Sequence, residues 1–327
     1  MGGNLSTRFS KKRVLQVLIL IWMAALALFA FTSNYTVLLI GMALALGSST
    51  LLNTTMNLIT PLLFATAPGF FVNFLFFTQE IGTSGSQYIL GSHADGFAFW
   101  QHTNLVLLIL GAVAFVLLLF CNVPEEAAAP ADAPAQKGGY DWRIVVPYVL
   151  VFGFYFIAEH GVMNWMVAYG VDGLGLPQAS AAKYLSVFFG GMMIGRLCLS
   201  PLVDKLGALK SLAAFGGVSC VLYLIGSLGG AVTMPVWAIS GLSFSILYPT
   251  LVMSIRLYFP AQQVSGAAGT ILSIASLADI LFNVGFGKLV DMTGYAVSIR
   301  VLPLSALAFF IVFMLFTKFC KPTQKLK

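Results

Sequence analysis

Charged side chains are scarce in this sequence, since Asp, Glu, Lys and Arg make up only 9% of its 327 residues. A soluble domain carries about 25% charged residues, so this chain cannot cover a water-facing surface. Apolar residues make up 59% of the chain and fall in long runs separated by short polar stretches. That pattern is typical of a helical protein that crosses the membrane many times, and it excludes a soluble globular domain.

Motifs for catalysis and for bound cofactors are also lacking. The four cysteines are scattered, with no CxxC pair and no His/Cys cluster, which argues against a metal site and against a disulfide framework. The sequence has no nucleophile–base–acid set and no phosphate-binding glycine loop, so neither a membrane enzyme nor an ATP-driven pump has the chemistry it needs. We therefore expect no enzymatic activity, no cofactor and no metal.

The formal net charge of +6 does not indicate nucleic-acid binding, because the basic residues lie in the polar stretches between apolar runs. This distribution follows the rule that basic residues stay on the cytoplasmic side of a membrane. The basic stretches all fall on the cytoplasmic side when both termini are placed in the cytoplasm. We expect a multi-pass protein of the inner or plasma membrane, embedded in the lipid bilayer, with no nucleic-acid partner.

Ten apolar runs are long enough to cross the hydrocarbon layer, which takes about 20 helical residues. They fall roughly at 14–32, 36–64, 70–90, 104–121, 144–171, 182–203, 211–229, 232–255, 266–290 and 299–317. The segment 122–143 is rich in Ala and Pro and has no apolar periodicity, which is typical of a flexible linker. The prediction is an all-α membrane protein with a four-helix bundle at 1–121, a cytoplasmic linker at 122–143 and a six-helix bundle at 144–327.

Three stretches of the sequence resemble one another. "SPLVDKLGALK" (Ser200–Lys210) and "GKLVDMTGY" (Gly287–Tyr295) share the frame Gly/Ser-x-Leu-Val-Asp-x-x-Gly, and residues 3–13 fit it with Thr7 in place of the Asp. A small residue allows close helix contact, an Asp can cap or pair near a helix end, and a Gly permits a tight turn. The frame resembles the loop signature of the major facilitator superfamily.

The resemblance implies twelve helices in two six-helix halves, each built of inverted repeats, with the solute bound near the membrane midplane. If residues 3–13 are the first loop signature, the expectation is that the chain starts just before a third helix and lacks the first two. The stretches "YFIAEHGVMNWMVAYG" (155–170) and "YLSVFFGGMMIGRLCLSPLVDKLG" (184–207) are similar to proton-coupled sugar permeases of the fucose permease type.

That similarity implies a secondary active transporter working by alternating access. The expected solute is a sugar, the expected coupling ion is a proton, with sodium as the other choice, and the expected state is a monomer. Two alternatives stay open: a drug or metabolite exporter of the same superfamily, and a truncated membrane remnant that does not transport. Fold alone does not choose among them.

Three carboxylates lie inside apolar runs, where each costs about 2.5–3.5 kcal/mol, so each needs a role. Polar and aromatic residues accompany them on the same spans, and a sugar site needs both kinds. The predicted solute and proton residues are Glu159, Tyr155, Asn164, Trp165, Glu80, Gln87, Asn53, Asn57, Asp279 and Asn283. The other interpretation is that these groups only hydrogen-bond between helices. We interpret His160 as structural, and Trp165 can equally be an interfacial anchor.

A cytoplasmic gate is predicted at the loop signatures, where charges and helix ends would lock the inner side. The predicted gate residues are Arg196, Asp204, Lys205 and Gly207 in the second half and Arg8, Lys11 and Lys12 in the first. Because Thr7 stands where the signature has Asp, we expect the lock of the first half to be weaker.

Overall fold

A computed structural model describes residues 10–64, 68–93, 96–123 and 140–322, and these residues are almost entirely helical. Backbone groups inside a membrane must be satisfied within the chain, and a helix does this locally. The helices before the linker are α1 (Lys11–Phe31), α2 (Tyr35–Leu63), α3 (Pro68–Ser92) and α4 (Phe97–Phe120).

The part after the linker contains six long helical segments, two of which are interrupted. They comprise α5 (Trp142–Ala168, continued by a π-helical turn at Tyr169–Gly173), α6 (Gln178–Leu206), α7 (Ala208–Leu228), the short helices α8 (Met234–Ile239), α9 (Gly241–Phe244) and α10 (Leu247–Ser254), α11 (Ala261–Thr293), α12 (Tyr295–Ser298) and α13 (Val301–Phe319).

Nine helical segments of the described residues are long and apolar enough to cross a membrane. The tenth long helix is α3, which is more polar because it carries a carboxylate and several Ser, Thr and Gln residues. This agrees with the predicted all-α membrane fold of about ten spans.

The described residues form two compact units. One comprises the described residues within Met1–Phe76 and His93–Lys137, and the other those within Phe77–Ser92 and Gly138–Lys327. The boundary therefore passes through α3, whose second half belongs to the unit that contains α5–α13. The division expected from the linker alone placed all of 1–121 in one bundle.

In the first unit, α1 packs against α2 and α4. The rings of Phe29 and Trp100 meet with centroids 5.3 Å apart. At the other end of the same helix pair, Lys12 Nζ donates a 2.9 Å hydrogen bond to the Leu119 carbonyl. A cation at this position satisfies an unpaired carbonyl and complements the negative end of the α4 dipole.

In the second unit, α5 is the central buried helix and packs against α6, α11 and α13. Its aromatic side chains form much of the core. Tyr148 meets Phe316 edge-on at 4.9 Å, and its hydroxyl lies 2.9 Å from Ser254 Oγ. This packing holds the polar residues of α5 in fixed positions.

The segment from α8 to α10 is broken because its serines compete with the helical hydrogen bonds. The side chains of Ser240, Ser243 and Ser245 each donate to a carbonyl three residues earlier, at 2.6–2.9 Å. Pro249 lies four residues after Ser245 and has no N–H, so the Ser245 carbonyl has no donor at the helical spacing. That carbonyl is left available to another helix.

The two complete copies of the repeated frame adopt the same local structure. Gly207 ends α6 with φ +81° and ψ 157°, and Gly294 ends α11 with φ +74° and ψ 167°. In each copy the Gly N–H donates a 2.8 Å bond to the carbonyl of the frame's Val, which is Val203 or Val290. Only glycine adopts this backbone region readily, so the tight turn predicted from the frame is confirmed at both corners.

Candidate functional site

A buried ion pair joins the second half of α3 to α6. Arg196 Nη1 donates to Glu80 Oε1 at 2.6 Å, and the two residues are only 9% and 6% exposed. Arg196 Nε also lies 3.5 Å from the Ser245 carbonyl that the break before α10 leaves available. Hydrogen bonds between ionised groups are roughly twice as strong as neutral ones, so this pair fixes both side chains.

Glycines on α6 allow the close contact that positions Arg196. A Cβ added at Gly191 would lie 2.9 Å from the Leu242 nitrogen, and one added at Gly195 would lie 2.5 Å from the Leu242 carbonyl oxygen. A side chain at either glycine would therefore collide with the backbone of α9. Because α6 approaches α9 so closely, the Arg196 side chain reaches the backbone of Ser245.

Two further contacts hold α3 against α6. Ser84 and Ser186 donate to each other's backbone carbonyls, at 2.9 and 2.8 Å. A Cβ at Gly91 would come within 2.0 Å of Ala182 Cβ, so the two helices touch there. These contacts align the helices so that Glu80 faces Arg196.

Glu159 on α5 is a buried carboxylate for which the structure gives no ion-pair partner among the described residues. It interacts electrostatically with Glu80 and with the hydroxyls of Tyr155 and Tyr248. The Tyr155 hydroxyl is fully buried without a hydrogen bond of good geometry to any described residue. A carboxylate and two phenols thus stand together with unused hydrogen-bonding capacity, next to Arg196.

Aromatic rings line the same region of α5. Tyr155 and Tyr248 lie nearly parallel with ring centroids 6.4 Å apart, and Phe156 lies 6.0 Å from Tyr248. Flat apolar faces beside a carboxylate and phenolic hydroxyls match the two surfaces of a sugar ring, one apolar and one rich in hydroxyl groups.

A second polar network joins α5 to α11. His160 Nδ1 lies 2.5 Å from Asp279 Oδ2, and Asn283 Nδ2 donates to Asp279 Oδ1 at 3.0 Å. Asn283 Oδ1 in turn accepts from Asn164 Nδ2 at 3.1 Å and from Trp165 Nε1 at 2.9 Å. Four residues predicted from the sequence are thereby brought together, and His160 joins them.

The remaining predicted solute residues are placed differently. Gln87 is half-buried on α3, one turn from Ser84. Asn53 is half-buried on α2, within the first unit. The side chain of Asn57 lies outside the described residues.

Within the second unit, the predicted gate residues have different surroundings. Arg196 lies in the buried pair with Glu80, whereas Asp204 and Lys205 are exposed at the end of α6, without an ion-pair partner among the described residues. Gly207 forms the corner between α6 and α7.

In the first unit, Lys11 is buried and Lys12 binds the end of α4, while Arg8 lies outside the described residues.

Sequence reasoning missed Tyr248, the role of Arg196 as a partner of Glu80, and the pairing of His160. The signal for Tyr248 was present in "SFSILYPT", where serines and Pro249 break a helix and turn polar groups inward. Among the described residues, no group of three or more His, Cys, Asp or Glu side chains could hold a metal ion. The site is therefore one of hydrogen bonds, aromatic faces and charges.

The profile of the Major Facilitator Superfamily matches residues 1–281. The chain belongs to this superfamily. The all-α membrane fold described above agrees with this membership.

Among curated proteins, the chain is similar to the glucose/galactose transporter of Brucella abortus, with 29% identity over 190 residues. The match covers 56% of this chain and 44% of that protein. The chain spans about half the length of the curated relatives it matches. These relatives are transporters rather than enzymes, in agreement with the expectation that the chain is not an enzyme.

Among solved structures, the chain is similar to a single-residue variant of the fucose:proton symporter FucP of Escherichia coli, with TM-score 0.66 and 20% identity, over 97% of this chain and 86% of that one. A POT family transporter in complex with a thioalcohol-conjugated peptide gives TM-score 0.78 at 11% identity, over 97% and 84%. At these identities the likeness shows the fold, which carries solutes as different as a sugar and a peptide.

Proposed function

We propose that the chain acts as a secondary active transporter that moves a sugar across the membrane by alternating access, coupled to a proton. The observation that carries the proposal is Glu159, a buried carboxylate that has no ion-pair partner among the described residues and that interacts with Tyr155 and Tyr248. Membership of the superfamily and the sugar named for the Brucella relative support the same class of solute.

The charges of the site explain why a proton would be coupled. Glu80 and Arg196 neutralise each other, so an ionised Glu159 leaves one uncompensated negative charge in a buried place. An uncompensated buried charge is costly, and protonation removes that cost. Glu159 is therefore the group that would carry the proton and accept hydrogen bonds from sugar hydroxyls when it is ionised.

Arg196 has its charge balanced by Glu80, which disfavours an anionic solute at this site. We propose that Tyr155 and Tyr248 donate to the solute and present ring faces to it. The protein is proposed to act as a monomer in the inner or plasma membrane, with both termini in the cytoplasm.

The test uses purified protein in liposomes with an imposed proton gradient, and labelled D-glucose, D-galactose and L-fucose as solutes. We expect uphill accumulation of at least one sugar, and its loss when the proton gradient is collapsed. Accumulation driven by sodium alone would overturn proton coupling, and the absence of sugar transport would favour an exporter or a protein that does not transport.

Glu159→Gln keeps the shape of the side chain and cannot ionise. We expect this variant to lose uphill accumulation while exchange of labelled sugar across the membrane persists. A variant that still accumulates sugar would show that Glu159 does not carry the proton. Tyr184→Phe, which removes a hydroxyl from α6 instead, is the control and should retain coupling.

A further inference from the structure

His160 and Asp279 form a titratable pair that the proposed transport site does not use. Asp279 is 6% exposed in the middle of α11, and the 2.5 Å contact with His160 Nδ1 is its link to α5. The two residues are 119 positions apart in the sequence, so the pair exists only because α5 and α11 pack together.

The donors and acceptors of this network are divided between the two helices. His160, Asn164 and Trp165 on α5 supply N–H groups, and Asp279 and Asn283 on α11 supply the oxygens that receive them. Both carboxylate oxygens of Asp279 are occupied, one by His160 and one by Asn283. Asp279 therefore links α11 to α5 directly through His160, and it also holds Asn283, which receives the bonds from Asn164 and Trp165.

The charge of the pair depends on one proton. With the imidazole protonated, the pair of His160 cation and Asp279 anion is neutral. When Nε2 gives up its proton, Nδ1–H still donates to Asp279, but the pair carries one buried negative charge. Removing the partner charge of a buried ion is strongly unfavourable, so the deprotonated pair is stable only if water or a displaced helix compensates it.

The ring can also exchange this proton. The His160 side chain is 36% exposed, so one edge of the ring binds Asp279 while another part remains accessible to solvent. The ring also stacks on Phe156, with centroids 5.5 Å apart. On the same helix, Glu159 directly precedes His160 in the sequence.

The other helices that pack on α5 bring few charges. α13 carries only Lys318, near its last turn, and α6 carries Arg196, which is paired with Glu80. The other charged residues of these helices lie toward their ends: Arg143 on α5, Lys183, Asp204 and Lys205 on α6, and Lys288 and Asp291 on α11. On α11, Lys288 follows Asp279 by nine residues, about 13 Å along the helix.

We propose that His160 and Asp279 form a second proton-binding site, distinct from Glu159, and that its proton keeps α5 and α11 in contact along this network. The proposal rests on the proposed function of a proton-coupled transporter. In it, proton release from His160 leaves a buried negative charge on the pair, which entry of water or movement of α11 away from α5 compensates. Proton occupancy therefore acts on a helix contact as well as on solute binding.

The first test needs no solute. The full chain is placed in lipid nanodiscs with nitrogen-labelled histidine, and the three histidines give three ring signals, assigned with His93→Gln, His102→Gln and His160→Gln. We expect His160 to titrate separately from His93 and His102. The separation should vanish in Asp279→Asn and persist in Glu159→Gln. A His160 ring that titrates with the other two in the unchanged protein, or that Asp279→Asn leaves unaltered, would overturn the inference even if sugar transport is observed.

The second test measures exchange of the transported sugar at several pH values. His160→Gln should remove most of the pH dependence of exchange. This variant also tests the pair if Asp279→Asn folds poorly. Asn164→Ala breaks a hydrogen bond of the same network without removing a titratable group, so it should slow exchange and leave the pH profile unchanged. Equal pH profiles in His160→Gln and the unchanged protein would show that the pair is only structural.

Discussion

Arg196 on α6 binds Glu80 on α3 through a 2.6 Å contact, although the two residues are 116 positions apart in the sequence. The pair lies in a membrane protein, on helices that also meet at Ser84 with Ser186 and at Gly91 with Ala182. It neutralises two buried charges that would each be costly alone.

Breaking this pair from one side should destabilise the protein. Arg196→Met leaves Glu80 buried without a cation, and such a loss costs about 3–5 kcal/mol. Glu80→Leu should cost a similar amount because it leaves Arg196 buried without an anion, while Glu80→Leu combined with Arg196→Met should recover most of the stability. Unfolding of the purified single and double variants in detergent measures the coupling between the residues. Additive losses in the double variant would show that the two charges do not stabilise each other.

The helices of this protein could be predicted from the sequence because each is encoded locally. Runs of apolar residues set the number of spans, and the repeated frame predicted the corners at Gly207 and Gly294. The glycines of α6 are also legible in the sequence, since a glycine inside a helix usually has a packing reason.

The partners of the buried polar residues could not be predicted in the same way. Helical periodicity shows which residues share a face, but it does not show which helix that face meets. Arg196 lies four residues before the frame at Ser200–Gly207, which predicts a place in the gate, yet its side chain binds a carboxylate on another helix. His160 looked like an isolated structural histidine because its partner Asp279 lies on α11.

Close packing at Gly195 predicts a strong steric effect. In Gly195→Ala the new methyl group would lie 2.2 Å from Ser245 Oγ and 2.5 Å from the Leu242 carbonyl oxygen. Because one of these atoms belongs to the backbone, we expect a loss of about 1–3 kcal/mol from overpacking, measured by thermal unfolding. Gly269→Ala on α11 is the control, since nothing lies within 4 Å of its added carbon, and it should be neutral or stabilising. Equal effects of the two changes would contradict the close contact of α6 with α9.

The matched corners at Gly207 and Gly294 predict matched effects of substitution. Both residues have a backbone conformation that is essentially restricted to glycine, so Gly207→Ala and Gly294→Ala should each cost about 1–3 kcal/mol. No heavy atom lies within 4 Å of an added carbon at either position, so the loss would come from the backbone alone. Gly285→Ala, also with open space around it but inside α11, should show no such loss. A tolerated alanine at either corner would mean that the corner can adopt another conformation.

The exposed carboxylate of Asp204 should be required for transport rather than for folding. It lies near the end of α6, three residues before Gly207, where a negative charge opposes the helix dipole. Removing that charge should therefore leave stability unchanged or raise it by about 0.3–1 kcal/mol. If Asp204 acts in the predicted cytoplasmic gate, Asp204→Asn slows sugar uptake while the folded yield is retained. Asp291→Asn, at the same place in the second copy of the frame, is the comparison because it makes the same change at the other corner. Uptake in liposomes at matched protein amounts measures both variants. Full activity of Asp204→Asn would show that its loop only orients the helix ends, and equal slowing in both variants would assign the effect to the corners rather than to the gate.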